Sequence, residues 1–505
     1  MTAAVAAPSG PMHSTMLPLA LLLLISSALA KNHQAAFSIF SPRDDWDLKT
    51  LPSPNATGHL VFNTISSLLQ HWPNTRYHSG HTIVPGVIPP GTLLYHGRKN
   101  PNVPTSAEWV SLDPEFARFY CDPLTGPPPP EPLPGPVECW FLTLVASQPL
   151  SVLYFDGSSA TKNADGPMDT QDIVAWAAVL PERHNNDYEY ERLDRMCDWG
   201  REAGFDAFIS EIMLCDFSNR VQTVSLSAIQ YEEMFPHPAY SFMHSSEWHD
   251  HFPGEIRVQL DLTRVVSMYD TELVPSLVSQ RSGQKRRDHR VLGISQEDIA
   301  NVRARLSEKS TSGSGIDWRA LFKVIRDRHT KRLQVLQRTL HQEREDSAER
   351  AFRIILNMIT PYILDSATPR KDRNWASHVY ELCSTTHTAF AASQTSLTPS
   401  ERLMLKAAQE TTREICRTLV GIWAEETASL ASSNISKWRY EVDRLVAWLD
   451  WDDWVTCEPA CEPDESCYLP GAPFSMEKWN VSEPICARFF EPYRGLEWLD
   501  VQDVC

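Results

Sequence analysis

The spacing of apolar residues changes along the chain and divides it into two parts. Over residues 31–270, short β-branched and aromatic runs alternate with Pro and Gly, which is typical of strands in a mixed α/β domain. Residues 185–204 are predicted to form a helix that ends at Gly204. Strands are predicted at 138–147, 150–157, 205–214, 221–229 and 255–270.

Helical spacing replaces this pattern from residue 316 onward. The residues of the first apolar stripe are Trp318, Leu321, Phe322, Ile325, Leu333, Leu336 and Leu340. Thr398 and Glu401 have the spacing of a capping box, with Pro399 at the first helical position, and they predict the start of a second helix. A third helix is predicted over 435–451, so residues 316–452 are interpreted as a helical domain. The predicted fold class is α+β.

Residues 271–315 are predicted to be a linker because they are basic at first and rich in Ser and Gly at the end. Lys285-Arg286-Arg287 is interpreted as an exposed loop, with a proteolytic processing site as the alternative.

The tail, residues 453–505, carries Cys457, Cys461, Cys467, Cys486 and Cys505 among few apolar residues. This composition predicts a cap held by disulfides. A zinc site at the first three of these cysteines is the competing interpretation, and no metal is predicted.

The start of the chain predicts export. Residues 17–30 are mostly apolar and end in Ala28-Leu29-Ala30, which is typical of a signal peptide over residues 1–30. A retained signal anchor is the alternative, and no later transmembrane segment is expected. Eleven cysteines and sequons at Asn55, Asn434 and Asn480 are consistent with a secreted, N-glycosylated protein. A mature chain would keep 505 − 30 = 475 residues.

The net charge and a proline-rich segment each add one expectation. The formal net charge of −18 argues against nucleic-acid binding. The proline-rich segment between Cys121 and Cys139 cannot pair in a sheet, and a disulfide between these two cysteines is the favoured interpretation.

Residues 91–121 contain the residues to which a role in binding or catalysis is most readily assigned. A predicted strand ends in Tyr95-His96-Gly97, Trp109-Val110-Ser111 follows, and residues 113–120 have a helix-like pattern that ends in Tyr120. About eighty residues later, a helix, Phe205-Asp206, a strand and Glu211 follow. This order resembles the ADP-ribosyltransferase-like superfamily, with a core at about 83–230.

The resemblance implies an NAD-consuming activity, either ADP-ribosyl transfer or NAD hydrolysis. His96 would bind the adenosine ribose, and Trp109 or Tyr120 would stack on nicotinamide. Glu211 would be the catalytic residue that stabilises the oxocarbenium-like state. Ala207 departs from the family pattern, in which a second Gly often stands at that position.

Other polar clusters allow other chemistry. Asp156, Asp169 and Asp172 are either the carboxylates of a carbohydrate-active hydrolase, Ca²⁺ ligands, or turn residues of a polar loop. His244, His249 and His251 are either metal ligands or surface residues.

The chain carries LLYHGR at 93–98, WVSLDPEFA at 109–117, LYFDGSSATK at 153–162 and CDF at 215–217. This arrangement resembles that of uncharacterised secreted proteins of filamentous fungi, a resemblance that implies no activity. A secreted non-catalytic binding or cell-wall-associated protein is therefore the main alternative to an enzyme.

Overall fold

The computed structural model describes residues 46–121, 139–162, 164–209, 212–229, 247–309, 312–367, 373–428, 434–468 and 484–488. The predicted signal segment, the proline-rich loop, Glu211, His244, Asn480 and Cys505 lie outside these residues. The described residues form helices and mixed sheets, so the predicted α+β class is confirmed.

The strands are β1 (Thr82–Ile88), β2 (Leu93–Arg98), β3 (Glu108–Val110), β4 (Cys139–Ala146), β5 (Leu150–Phe155), β6 (Ala207–Ile209), β7 (Ile212–Leu214), β8 (Val221–Ile229), β9 (Gln259–Leu260), β10 (Val266–Ser267), β11 (Glu465–Tyr468) and β12 (Ile485–Arg488). Within the described part of the chain, seven strands form one sheet in the order β10-β1-β5-β6-β7-β3, and β9 also pairs with β1. Two smaller sheets have the orders β2-β4-β8 and β11-β12. β5 and β6 pair in parallel because a helical connection separates them, whereas β6 and β7 form an antiparallel hairpin.

The α-helices span Gly58–Ser67, Trp72–Thr75, Pro114–Arg118, Asp169–Trp176, Glu189–Ala203, Val278–Arg281, Gln296–Ser307, Trp318–His341, Ser347–Ile359, Ser377–Thr385, Ala389–Ala392, Pro399–Ala428 and Ile435–Leu449. The predicted end at Gly204 is confirmed, since this residue caps the helix with a φ of 88°. The capping box is confirmed as well: Thr398 Oγ1 accepts from the Glu401 amide at 3.1 Å, and Glu401 Oε2 accepts from the Thr398 amide at 2.8 Å.

The large sheet is buried on both faces. Along β1, Ile83 belongs to one hydrophobic cluster and Val84 and Ile88 belong to another. The first cluster continues into Leu193 and Ile299 of two helices, and the second continues into the long helices after residue 316. This explains why β1 has no clean alternation of apolar and polar residues.

The predicted linker is wrong for part of its length. Residues Gln296–Ser307 form a helix, and the Ser295 hydroxyl caps it by accepting from the Asp298 amide at 3.1 Å. Ile299, Val302 and Leu306 are fully buried against the sheet. Their spacing of three and four residues is the helical signal in a stretch otherwise dominated by charge.

The helix Gly58–Ser67 joins the N-terminal part to the long helices. Phe62 stacks on Phe322 with ring centroids 4.6 Å apart. The Asn63 side chain donates to the Asp450 carbonyl at 3.0 Å, and the Gly58 amide donates to Glu410 at 2.9 Å. One hydrophobic cluster therefore includes residues from both predicted domains. The domain division itself stays a prediction.

Five disulfides join separate segments of the described part. Cys121 pairs with Cys139, the pairing favoured from the sequence. The others are Cys197–Cys215, Cys383–Cys416, Cys457–Cys467 and Cys461–Cys486. The last two disulfides contain Cys457, Cys461 and Cys467, the cysteines for which a zinc site was the competing interpretation. In the part of the chain that the structure describes, no helix is both long and apolar enough to cross a membrane.

Candidate functional site

His96 lies inside the three-stranded sheet, opposite Leu142 of β4. Its side chain is buried, and the Tyr120 ring lies 5.8 Å from it between centroids. Burial, and then the neighbouring Arg98 cation, lower the pKa of His96 to about 4, so the imidazole is neutral at physiological pH. The structure thus brings together two of the predicted cofactor-binding residues.

Trp109 lies on β3 and is buried, with only 8% of its surface exposed. The exposed Tyr190 ring packs edge-on against it at 5.0 Å. Trp109 could therefore stack on a ligand only after Tyr190 moves away. Glu211, the predicted catalytic residue, lies outside the described residues.

The three aspartates proposed for a hydrolase are buried and hydrogen-bonded within the protein. Asp156 Oδ1 accepts from the amides of His81 at 2.7 Å and Thr82 at 2.6 Å. Burial raises the pKa of Asp156 to about 7, although these two bonds oppose the shift. That pKa would suit a general acid, but Asp156 lines neither the cavity of about 520 Å³ around Arg281 nor the cavity of about 230 Å³ around Arg319.

The other two aspartates stabilise helix ends and loops. Asp169 pairs with Arg290 at 2.9 Å and also accepts from the Val291 amide. Asp172 pairs with His184 at 2.8 Å and with Arg192. These contacts favour a structural role for both residues over hydrolysis or Ca²⁺ binding.

His249 lies near two carboxylates, with Nε2 3.3 Å from both Asp113 Oδ2 and Glu255 Oε2. The Arg257 guanidinium already bridges the same carboxylates, at 2.8 Å and 2.6 Å. A fixed cation at this position balances the acidic pair, so the cluster is interpreted as an ion network. His251 is exposed nearby.

A cavity of about 520 Å³ was not foreseen from the sequence. Three separate parts of the chain line it: residues 51–60, residues 268–289 and residues 444–450. The second of these includes the basic stretch that was interpreted as an exposed loop. Neither the residues nor their spacing could reveal this, because the three parts are brought together by contacts between residues far apart in the chain, such as His59 with Trp448 and Arg286 with Asp450.

Arg281 is the cation of this cavity that lacks a carboxylate partner among the described residues. Its Nη1 donates to the Met268 carbonyl at 2.5 Å, and its guanidinium lies 4.6 Å from the centre of the Tyr269 ring. Its Nε and Nη2 are buried and have no hydrogen-bond partner in the part of the chain described. Burial lowers the pKa of Arg281.

The other cations of the lining are neutralised. Arg286 donates to Asp450 at 3.3 Å, and its guanidinium lies 4.3 Å from the centre of the Tyr77 ring. Arg444 pairs with Glu414 at 2.5 Å and with Glu441 at 3.2 Å. Arg281 therefore leaves the cavity locally positive in an acidic protein.

Two histidines of the lining are neutral. Burial, and then Arg286, lower the pKa of His59 to about 3. Burial, and then Arg281, lower the pKa of His289 to about 4. His59 stacks on Trp448 at 4.2 Å, and His289 Nδ1 lies 3.3 Å from the Tyr269 hydroxyl. The site thus combines an unpaired guanidinium with neutral imidazoles and an indole.

Comparison with known proteins finds a match for the first part of the chain. Residues 47–123 and 134–256 match the family model of the YPL277C N-terminal domain. This part of the chain is similar to an uncharacterised family. The family model covers residues 51–60 of the cavity lining and neither of its other two parts.

Two relatives come from Saccharomyces cerevisiae. The uncharacterized protein YPL277C is 32% identical over 272 residues, which cover 44% of this chain and 55% of the relative. The uncharacterized protein YOR389W is 32% identical over 273 residues, which cover 44% of this chain and 42% of the relative. The chain thus spans about half the length of the curated relatives it matches. No solved structure matches it.

These comparisons support the resemblance to an uncharacterised family. They do not show the resemblance to ADP-ribosyltransferases, which stays a prediction.

Proposed function

We propose that the protein binds a small anionic ligand in the cavity lined by Arg281. The observation that supports this is the pair of buried guanidinium nitrogens, Nε and Nη2, without a hydrogen-bond partner in the described residues. Buried N–H groups of a cation that lack an acceptor are costly, because they lose hydration and gain no hydrogen bond in return. A ligand oxyanion would supply the missing acceptors.

The geometry of arginine suits such a ligand. A guanidinium presents its donors as a planar fork, and phosphate or carboxylate oxygens can accept from two nitrogens at once. Tyr269 fixes the plane of the Arg281 guanidinium, and the Met268 carbonyl holds Nη1. The remaining two nitrogens are therefore positioned before a ligand arrives, which lowers the entropic cost of binding.

This proposal corresponds to the non-catalytic alternative of the sequence analysis. A secretory location for the binding protein is part of the proposal. The disulfides of the described part, the exposed sequon residues Asn55 and Asn434, and the signal-like start support it.

The test is to titrate the full-length chain with inorganic phosphate and with acetate and to measure the heat of binding by calorimetry. The Arg281→Met variant should bind the preferred anion at least about 10-fold more weakly, since a buried charge-assisted contact is worth about 2 kcal/mol. It should unfold at the same or a higher urea concentration, because a buried unpaired cation is removed. A structural role for Arg281 predicts a loss of stability instead.

Arg319→Met is the matched control. Arg319 is another partly buried arginine, and it lines a separate cavity of about 230 Å³. Its replacement should leave anion binding unchanged. If the unmodified protein binds neither anion, or if both variants bind like it, the proposal is wrong.

NAD binding beside His96 is a second candidate function. It is favoured by two buried nitrogens that have no hydrogen-bond partner in the described residues, His96 Nδ1 and Arg98 Nη1. Replacing His96 by Ala should weaken NAD binding about 10-fold, the scale of one hydrogen bond to a charged or polar ligand. The control is His341→Ala, an exposed histidine paired with Asp443. Equal affinities for NAD in the two variants, or no binding by the unmodified protein, would exclude this candidate.

A further inference from the structure

The cavity is larger than an oxyanion needs. Its volume of about 520 Å³ falls in the range of about 300–1,000 Å³ that is usual for sites of drug-sized ligands. The space beyond Arg281 is lined by apolar side chains from all three parts of the chain, namely Leu60, Met268, Val274, Val278 and Ala447. A ligand that fills this space would carry its anionic group on a larger body that contacts these apolar side chains.

One wall of the cavity is aromatic. Trp448 and His59 stack with ring centroids 4.2 Å apart and planes inclined by 28°. Both rings are only partly buried and line the cavity. Aromatic walls of this kind favour planar rings, which contact them over a large area at a low entropic cost.

His59 also brings a polar group without a hydrogen-bond partner to this wall. Its Nδ1 is buried and has no hydrogen-bond partner in the described part of the chain. The ring is neutral, so this nitrogen is either a donor or an acceptor, depending on the tautomer. An alkyl chain would leave it unsatisfied, which costs free energy, whereas a ring that carries nitrogen or oxygen could bond to it.

From these observations we infer that the ligand is a heteroaromatic compound that carries an anionic group, of which a phosphate ester is one form. Its anionic group contacts Arg281, and its ring lies against Trp448 near His59 Nδ1. This inference rests on the proposed anion binding and adds the chemical class of the body. A nucleoside monophosphate is the simplest probe of that class.

The probes are adenosine 5′-monophosphate, ribose 5-phosphate and octyl phosphate, each titrated into the full-length chain. Adenosine 5′-monophosphate should bind at least about 10-fold more tightly than ribose 5-phosphate, since stacking of one base contributes about that much. Octyl phosphate should bind more weakly than adenosine 5′-monophosphate, because it leaves His59 Nδ1 unsatisfied.

Variants at Trp448 test whether its ring causes the preference for adenosine 5′-monophosphate. Trp448→Leu keeps an apolar side chain but removes the ring, and it should remove the preference for adenosine 5′-monophosphate over ribose 5-phosphate. Trp448→Phe keeps a ring and should retain most of it. The control is Tyr440→Leu, an aromatic residue of the same helix that is 66% exposed and does not line the cavity. It should bind all three probes like the unmodified protein.

The outcomes separate this inference from the proposed function. Equal binding of adenosine 5′-monophosphate and ribose 5-phosphate, both weakened by Arg281→Met, would overturn the inference and keep the anion site. Tighter binding of octyl phosphate than of adenosine 5′-monophosphate would overturn the inference and indicate a ligand with an alkyl chain instead of a ring. Binding of none of the probes, together with no binding of inorganic phosphate or acetate, would overturn both proposals.

Discussion

Replacing Asp172 by Ala is expected to lower the free energy of unfolding by about 3–5 kcal/mol, the cost of removing one partner from a buried ion pair. The Asp172 carboxylate and both of its ionic partners, His184 and Arg192, are almost completely shielded from solvent. It also accepts from the Leu180 amide at 2.6 Å. The variant would leave a buried guanidinium whose remaining contacts are the Arg183 carbonyl and the face of Trp176.

Urea unfolding with the disulfides intact is the measurement. Asp198→Ala is the control, because Asp198 and its partner Arg201 on the same helix are 72% and 75% exposed and 3.1 Å apart. Such a surface pair contributes about 0–1 kcal/mol. A loss for Asp172→Ala that is no larger than the loss for Asp198→Ala would contradict the structural role of Asp172 and reopen its role in catalysis.

Local sequence signals predicted those elements whose ends are fixed by their own residues. The capping box at Thr398 and Glu401 places a helix start correctly because both hydrogen bonds lie within four residues. Gly204 ends its helix because its positive φ is readily adopted only by a residue without a Cβ. Strands β4 and β5 followed from their β-branched and aromatic content.

Elements stabilised by distant partners were missed. The helix Gln296–Ser307 is charged on its exposed face, and its Ile299 gains stability only by packing beneath the sheet. The helix Gly58–Ser67 depends on residues more than 250 positions away, including Phe322 and Glu410. Composition alone contains no information about such partners.

The same limit applies to the candidate sites. His96 and Tyr120 belong to one short stretch of the sequence, and their rings lie 5.8 Å apart. The cavity around Arg281 could not be predicted, because its other walls come from His59 and Trp448. A basic stretch is usually solvated, and only the burial of Arg281 without a carboxylate distinguishes it from that ordinary case.

Replacing Glu401 by Gln is expected to lower the free energy of unfolding by about 2–3 kcal/mol near neutral pH, the range for hydrogen bonds to a charged group. Glu401 is fully buried, and its two oxygens accept from Ser314, the Trp318 indole and the Thr398 amide. These contacts join the start of the helix Trp318–His341 to the start of Pro399–Ala428. A Gln side chain keeps the shape, but its amide nitrogen would face a donor.

The loss of stability caused by Glu401→Gln should become smaller as the pH falls. Burial of the Glu401 carboxylate opposes ionisation, but the hydrogen bonds from Ser314, Thr398 and Trp318 outweigh it and hold the pKa of Glu401 below its ordinary value. An unfolded Glu has a pKa of about 4.3, so this stabilisation is fully present above that pH and is lost as the pH falls through the lower pKa of the folded protein. The difference between the unmodified protein and Glu401→Gln should therefore shrink as the pH falls below about 4. Unfolding curves between neutral and acid pH measure it, with Glu349→Gln, an exposed pair with Arg353, as the control. A difference that stays constant down to the lowest pH would mean that the Glu401 charge contributes nothing and that only its shape matters.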